Sequence, residues 1–427
     1  MIYNYRGRYL REFKYFFHPK HIKTEKLLIF MDNFSKVVLS SGLTILFEKR
    51  NLPVVSVVVA TRTGAAYENE KNKGLAHFFE HMLFKGSRTR GQKEISSSIE
   101  KIGGILNGFT AEQVTSFYCK VPSKHFNVSE VIMDMVSDPK FDPKELERER
   151  GVILQEINMV HDDPKHFLFD KMKEISYQKP FALPILGSKE NILGFKRDSF
   201  VNWHNHYYNP NNLIISIVGK ADFSEITRMS EAFFNSKSKS HMPQLDLKPK
   251  IGKFLERRKH IDQAHLGLLF KMPSMQDSRR YPAEVFSAIL GEGMSSRLFQ
   301  EVREKRGLAY TVRSMLEQEK DYGHCLVYAG VEKKNLKKAK EIILREIKGM
   351  KKISSKEIDE AKEQCIGRYQ VDNEQCDSVA IKLILEEISK DANVMYRYPE
   401  NIANVSLNDV REMAKIKGLS EGMIVHN

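Results

Sequence analysis

With 427 residues, 41% of them hydrophobic and 29% charged, the chain can bury two or three cores and does not have the composition of a disordered protein. The net charge of +13 comes from cations interleaved with acids, as in "KKNLKKAKEIILREIKGMKKISSKEIDEAKEQ". That is the pattern of solvated helix surface, and with no RNA-binding signature or zinc-finger spacing in the chain, nucleic acid is not an expected partner.

No run approaches the roughly 18 apolar residues of a membrane span, so no membrane is expected either. Residues 1–31 form a basic extension, with seven Lys or Arg against two Glu and no Ser in the first thirty. Its greasiest stretch, "LLIF", is too short for a signal-peptide core. A domain start is read at Met31, in "MDNFSKVVLSSGLTILFEKRN". There "KVVLSSGLTILFEKR" predicts strand, turn at Ser41-Gly42, strand. "VVSVVVATRTG" predicts a buried strand, and "GLAHFFEHMLFKGS" a helix with Gly86 at its C-terminal cap. "EISSSIEKIGG" reads as a short helix, "VTSFYCKV" as a strand and "KHFNVSEVIMDMVSD" as an amphipathic helix.

In "FDPKELERERGVILQEINMVHDDP", Asp142 is placed at the N-cap, Pro143 at the first helical position and Glu145 where it completes an acidic capping box. This long helix is expected to end near Asp162-Asp163-Pro164. "NLIISIVGKAD" follows as a buried strand and then a helix.

The Lys/Ser/Pro-rich stretch from Asn235 to Lys250 reads as a linker. Beyond it the pattern recurs. "HLGLLFKMPS" is a central strand, "YPAEVFSAILGEG" a helix and "GHCLVYAGVE" a strand. The helix–break–helix order around Lys144 returns around Lys356. We therefore expect an α+β chain of two homologous, sandwich-like domains, each a mainly antiparallel sheet with helices packed on it. The boundaries are a first domain at 32–235, which holds the cluster "HFFEH", a linker at 236–250, and a second domain at 251–427, which lacks such a cluster.

The chemistry concentrates in "HFFEH". His77 and His81 stand four apart and share a helix face, so both imidazoles can reach one ion. Glu80 lies beside that ion rather than opposite it. A zinc hydrolase site takes three protein ligands and one open position, with a carboxylate nearby as base. His-x-x-Glu-His supplies two ligands and the base, although a solvated His-Glu-His face would look the same. The four cysteines, Cys119, Cys325, Cys365 and Cys376, form no CxxC pair. They fit a reducing, cytoplasmic compartment and leave the metal to His and carboxylates. On the long helix Glu149 and Glu156 lie two turns apart on one face. Glu156 sits among apolar residues, where a carboxylate is costly unless paired or bound to metal.

"GLAHFFEHMLFKGS" followed by Glu156 in "ERERGVILQEI" resembles the pitrilysin-type zinc peptidases, the insulinase and mitochondrial processing peptidase family. The resemblance covers 32–427 and, at this length, points to the small two-domain prokaryotic branch. It implies one Zn2+ per chain on His77, His81 and Glu156, with Glu80 as general base and Glu149 orienting a ligand. "LNGFTAEQVTSFY" resembles the family's substrate strand, with Asn107 on the substrate backbone. Gly108 stands where the family usually has Ala. The resemblance makes "VTSFYCKV" the edge strand that captures an extended peptide.

In the second half, "LGEGMSSRLFQEVREKRGLAYTV" resembles the family's glycine-containing loop. There Arg303 and Tyr310 match a pair that binds substrate and supports the tetrahedral intermediate. In a two-domain chain that pair is expected to act on the zinc site of a partner, which implies a homodimer or a heterodimer with a homologous subunit. The positions that recognise a substrate arginine in the mitochondrial enzyme are His166 and Asp170 here, and only the second is acidic. The expected activity is a zinc metalloendopeptidase acting on oligopeptides or unfolded segments. The alternative is a non-catalytic or partner-dependent subunit of a processing-peptidase-like complex.

Overall fold

The computed structural model describes residues 29–31 and 33–427. Residues 1–28 of the expected basic extension lie outside the described residues, whereas Ile29–Met31 form strand β1. The other strands of the first sheet are β2 (Phe34–Val38), β3 (Thr44–Lys49), β4 (Val54–Thr61), β5 (Ile105–Thr110), β6 (Thr115–Pro122) and β7 (Leu213–Gly219). The second sheet holds β8 (Lys253–Arg258), β9 (Ala264–Lys271), β10 (Ala309–Gln318), β11 (Gly323–Val331) and β12 (Ser420–His426).

The strand orders are β1-β2-β3-β7-β4-β6-β5 and β10-β11-β9-β12-β8. Read from the other side, the second order matches β3-β7-β4-β6-β5 strand for strand. Each sheet has one parallel pair, β3 with β7 and β8 with β12, and is otherwise antiparallel. The duplication expected from the helix–break–helix echo is thus present as shared topology, with β1 and β2 added to the first copy. The fold is α+β, with helices packed on both sheets.

The central strands are near-continuous β-branched runs, "VVSVVVAT" in β4 and "LIISIVG" in β7, and β7 is buried throughout. Strands covered on both faces need such sequences. On one face of the first sheet lie the helices Leu75–Leu83 and Glu130–Ser137. The other face is covered from the far end of the chain. Val379, Ala380, Leu383 and Ile384 of the helix Cys376–Ser389 pack on Leu46, Val58, Ala60, Ile214 and Val218. Reciprocally, Leu168 and Met172 of the helix Pro164–Ser176 pack on Leu269, Leu326 and Ile424 of the second sheet. Met172 comes so close that a Cβ on Gly422 would stand 2.5 Å from its sulfur.

Each sheet is therefore roofed by a helix of the other half. Each such buried aliphatic side chain contributes about 1.5–3 kcal/mol. Two adjacent glutamates fasten the Cys376–Ser389 helix. Glu386 accepts from Arg280 Nη2 at 2.7 Å and Nη1 at 3.0 Å, in the second half. Glu387 accepts from Lys36 Nζ at 2.6 Å, in the first.

Three local expectations are corrected. β6, carrying "VTSFYCKV", pairs on both sides with β4 and β5, so the open edge is β5. Whether a strand is edge or interior is set by its distant neighbours and is not encoded in its own alternation. The helix Leu75–Leu83 is capped at Phe84, and Gly86 instead forms an isolated bridge with Gly91. Asp142 does cap the helix Pro143–Asp162 by accepting from the Lys144 amide, but Glu145 bonds Arg148 one turn on rather than completing a box.

Candidate active site

The helix Leu75–Leu83 buries Leu75, Ala76, Phe78, Phe79, Met82 and Leu83, which leaves His77, Glu80 and His81 on its polar side. No residue of its own caps it. Buried Glu68 does so from six residues upstream, accepting from the Gly74 amide at 3.2 Å and, eight residues on, from the Ala76 amide at 2.6 Å. A carboxylate at that end also complements the helix dipole. The helix Pro143–Asp162 buries Leu146 and Ile153 and turns Glu149 and Glu156 toward the histidines.

His77, His81 and Glu156 each offer a ligand atom, and these atoms lie within 4.8 Å of one another. Glu156 Oε2 is 3.9 Å from His77 Nε2 and 3.8 Å from His81 Nε2. Among the described residues no other group of three His, Cys, Asp or Glu comes as close. Two imidazole nitrogens and one carboxylate oxygen are a zinc donor set that leaves a fourth position for solvent.

The His81 imidazole is aimed through its other nitrogen, with Nδ1 2.9 Å from Glu149 Oε1. That contact leaves Nε2 free for metal. Glu149 Oε2 is held in turn by Lys85 Nζ at 2.6 Å. Burial raises the Glu149 carboxyl, but the hydrogen bonds from His81 and Lys85 outweigh it and hold it below its ordinary range. Burial and the neighbouring His81 push His77 down to about 3, so this imidazole is neutral with its lone pair available. Among the described residues His77 Nδ1 is buried without a partner, so only one of the two histidines has a fixed second contact there. The donor set fits zinc.

Glu80 is buried beside the cluster and accepts from Thr110 Oγ1 at 2.8 Å. Burial raises its carboxyl, with Thr110 and His81 working the other way. A Cβ on Gly108 would meet Glu80 Oε1 at 3.1 Å and Phe84 Cζ at 3.0 Å, so the departure from Ala leaves room beside the carboxylate. Asn107 is exposed on β5, its Oδ1 accepting from the Gly108 amide at 2.8 Å.

In the second half the guanidinium of Arg303 stands 5.3 Å from the Tyr310 ring centroid, and Tyr310 is 72% exposed. A register shift between Ala309 and Thr311 leaves Tyr310 as the extra residue of a bulge, which re-aims a side chain out of a sheet edge. Among the described residues no hydrogen bond, ion pair or ring contact joins this pair to His77, Glu80, His81 or Glu156. The structure therefore assembles two groups, one in each half.

His166 and Asp170 do not pair. His166 is exposed and bonded to Asp163 at 2.7 Å. Asp170, raised to about 6 by burial, lines a cavity of about 370 Å³ between the halves with Glu112, Lys173, Glu317, Glu319 and His324.

Sequence reasoning missed Thr110 and Lys85. Both had a signal. Lys85 lies one turn beyond His81, and Thr110 shares with Gly108 the period-two face of β5.

Residues 44–189 match the family described as insulinase (peptidase family M16), and residues 194–365 the one described as the peptidase M16 inactive domain. The uncharacterized zinc protease YmxG of Bacillus subtilis (strain 168) is 35% identical over 328 residues, 76% of this chain and 80% of the relative. An uncharacterized zinc protease of Rickettsia bellii (strain RML369-C) is 35% identical over 386 residues, 88% and 92% of the two chains. The crystal structure of a protease from Helicobacter pylori superposes with a TM-score of 0.85 at 20% identity, over 93% of this chain and all of the other. That of a peptidase M16 inactive domain from Pseudomonas fluorescens gives 0.84 at 17% identity, over 92% and 98% of the two chains.

Proposed function

The chain belongs to the insulinase (M16) peptidase family, and on that premise we propose that it is a zinc-dependent metalloendopeptidase for oligopeptides and extended protein segments. The observation that carries this reading is the convergence of His77, His81 and Glu156 within 4.8 Å, beside the buried carboxylate of Glu80. One zinc ion on those three residues would supply Lewis acidity toward water and a peptide carbonyl.

The rest falls to side chains of this chain. Glu149, held by Lys85, fixes the His81 ring. Glu80 takes a proton from the attacking water and delivers it to the leaving amine. The open edge of β5 accepts an extended peptide as an added strand, with Asn107 and Gly108 along its backbone. Backbone pairing reads conformation more than sequence, which suits varied and unfolded substrates. An enclosed chamber would exclude folded ones.

We assign 32–235 as the catalytic domain and 251–427 as a domain that supplies Arg303 and Tyr310. The exposure of Tyr310 and its separation from the chain's own histidines favour action on a second copy, hence a homodimer. A donor placed there stabilises charge developing on the carbonyl oxygen. All four cysteines are buried and unpaired, which fits the cytoplasm.

The test is hydrolysis of a mixed quenched-fluorescent peptide library by the wild type and by Glu80→Gln, with zinc assayed in both. Cleavage by the wild type alone, with zinc in both, supports the reading. Absence of zinc from both after reconstitution defeats it.

A further inference from the structure

Glu80 is buried, so its orientation is set by what holds it. Among the described residues one side-chain donor does so, Thr110 Oγ1, at 2.8 Å from Glu80 Oε2. The other carboxylate oxygen lies against the strand, 3.1 Å from where a Cβ on Gly108 would stand. Gly108 and Thr110 share one face of β5, and Asn107 points to the other.

Thr110 is the last residue of β5, and the turn that follows is gripped by the opposite half. Gln113 Nε2 donates to Asp321 Oδ2 at 2.6 Å, and the Asp321 amide donates back to Gln113 Oε1 at 3.0 Å. The Glu112 amide donates to Glu319 Oε1 at 3.3 Å. The strand carrying this hydroxyl is thus pinned by the sheet on one side and by the second half at its end.

We propose that Thr110 is a positioning residue for Glu80, its hydroxyl fixing the rotation of the carboxylate beside His77, His81 and Glu156. The proposal rests on the assignment of Glu80 as base. It requires the hydroxyl and not the methyl group. Thr110→Val keeps the shape and removes the donor, whereas Thr110→Ser keeps the donor.

The experiment measures kcat and KM on a cleaved peptide, zinc affinity by competition with a chromogenic chelator, and crystal structures of both variants. A hydrogen bond to a charged group carries about tenfold to a hundredfold in rate when lost. Thr110→Val is expected to lose kcat by about that factor, with KM and zinc affinity within about twofold and the Glu80 carboxylate turned from its wild-type place. Thr110→Ser is expected to stay within about threefold of wild type with the carboxylate in place.

Wild-type kcat in Thr110→Val with Glu80 unmoved would overturn the proposal. So would equal damage in both variants, or a loss of zinc affinity that accounts for the loss of rate, since either marks a merely structural role. A wild type that binds zinc but cleaves nothing would defeat the peptidase reading alone. The place of Glu80 in the two variant structures would then decide the positioning role.

Discussion

Replacing Glu149 with Gln probes the proposed metal centre without touching a proposed ligand. The wild-type carboxylate is 2.9 Å from His81 Nδ1 and 2.6 Å from Lys85 Nζ, and its side chain is 6% exposed. Glutamine keeps the shape and one acceptor but loses the charge, and charge-assisted hydrogen bonds are roughly twice as strong as neutral ones. Partners that orient a metal-binding histidine are worth about tenfold to a hundredfold in affinity, or about 1.4–2.8 kcal/mol. Zinc competition against a chromogenic chelator at about pH 7.5 reads this directly.

The penalty has a sign in pH. In the metal-free protein Glu149, with Glu80 and Glu156, holds His81 above its ordinary value despite burial, so a proton competes with zinc for the same ring. Removing the charge weakens the proton as well as the metal. The variant's deficit should therefore shrink as pH falls toward about 6. A folded Glu149→Gln protein with wild-type zinc affinity across that range would refute the reasoning.

Other consequences follow from charges buried between the halves. Glu387→Ala removes the 2.6 Å partner of Lys36, whose side chain is 8% exposed, and leaves it Asp391 at 3.7 Å; it should cost about 1–3 kcal/mol in urea unfolding, and a loss under about 0.5 kcal/mol would show the pair to be dispensable. Glu319 is raised to about 8 by burial and by Glu112 and Glu317, while an unfolded glutamate ionises near about 4.3. Between those values the folded chain holds the extra proton, so stability falls as pH rises through the window. The wild-type Tm should drop between about pH 5 and 8 and that of Glu319→Gln should drop less; parallel curves would contradict this assignment. Mixing Glu80→Gln and Tyr310→Phe chains should restore activity if Tyr310 serves the other protomer, and no recovery despite demonstrated subunit exchange would exclude action in trans.

The legible part of the site was the part written locally. His77, Glu80 and His81 sit within one helix turn and a half, and Asp142 with Pro143 announces the helix that brings Glu149 and Glu156. Helical period alone then puts those groups on facing sides. For Thr110 the alternation of β5 gives the face but not the partner, because nothing near it in sequence says which side chain it will meet across β5. The same holds for the sheet edge. Alternation in "VTSFYCKV" reports a half-buried strand and is silent on whether a further strand pairs beyond it. The covering of each sheet by a helix of the opposite half was invisible for the same reason. The helix Cys376–Ser389 reads as an ordinary apolar helix, and its partners on β3, β4 and β7 lie more than 150 residues upstream.

That exchange changes what the segment 236–250 is for. Its stretch 236–248 carries no helix or strand, and most of it is exposed. The halves are also joined without it. A protease that nicked it would leave two fragments interlocked by their reciprocal helices and by the Glu387–Lys36 ion pair, migrating together on gel filtration. Expressed from separate genes, neither fragment could complete its own sheet, since each would lack the cover for one face. Fission of this gene would therefore yield an obligate heterodimer and not two independent proteins.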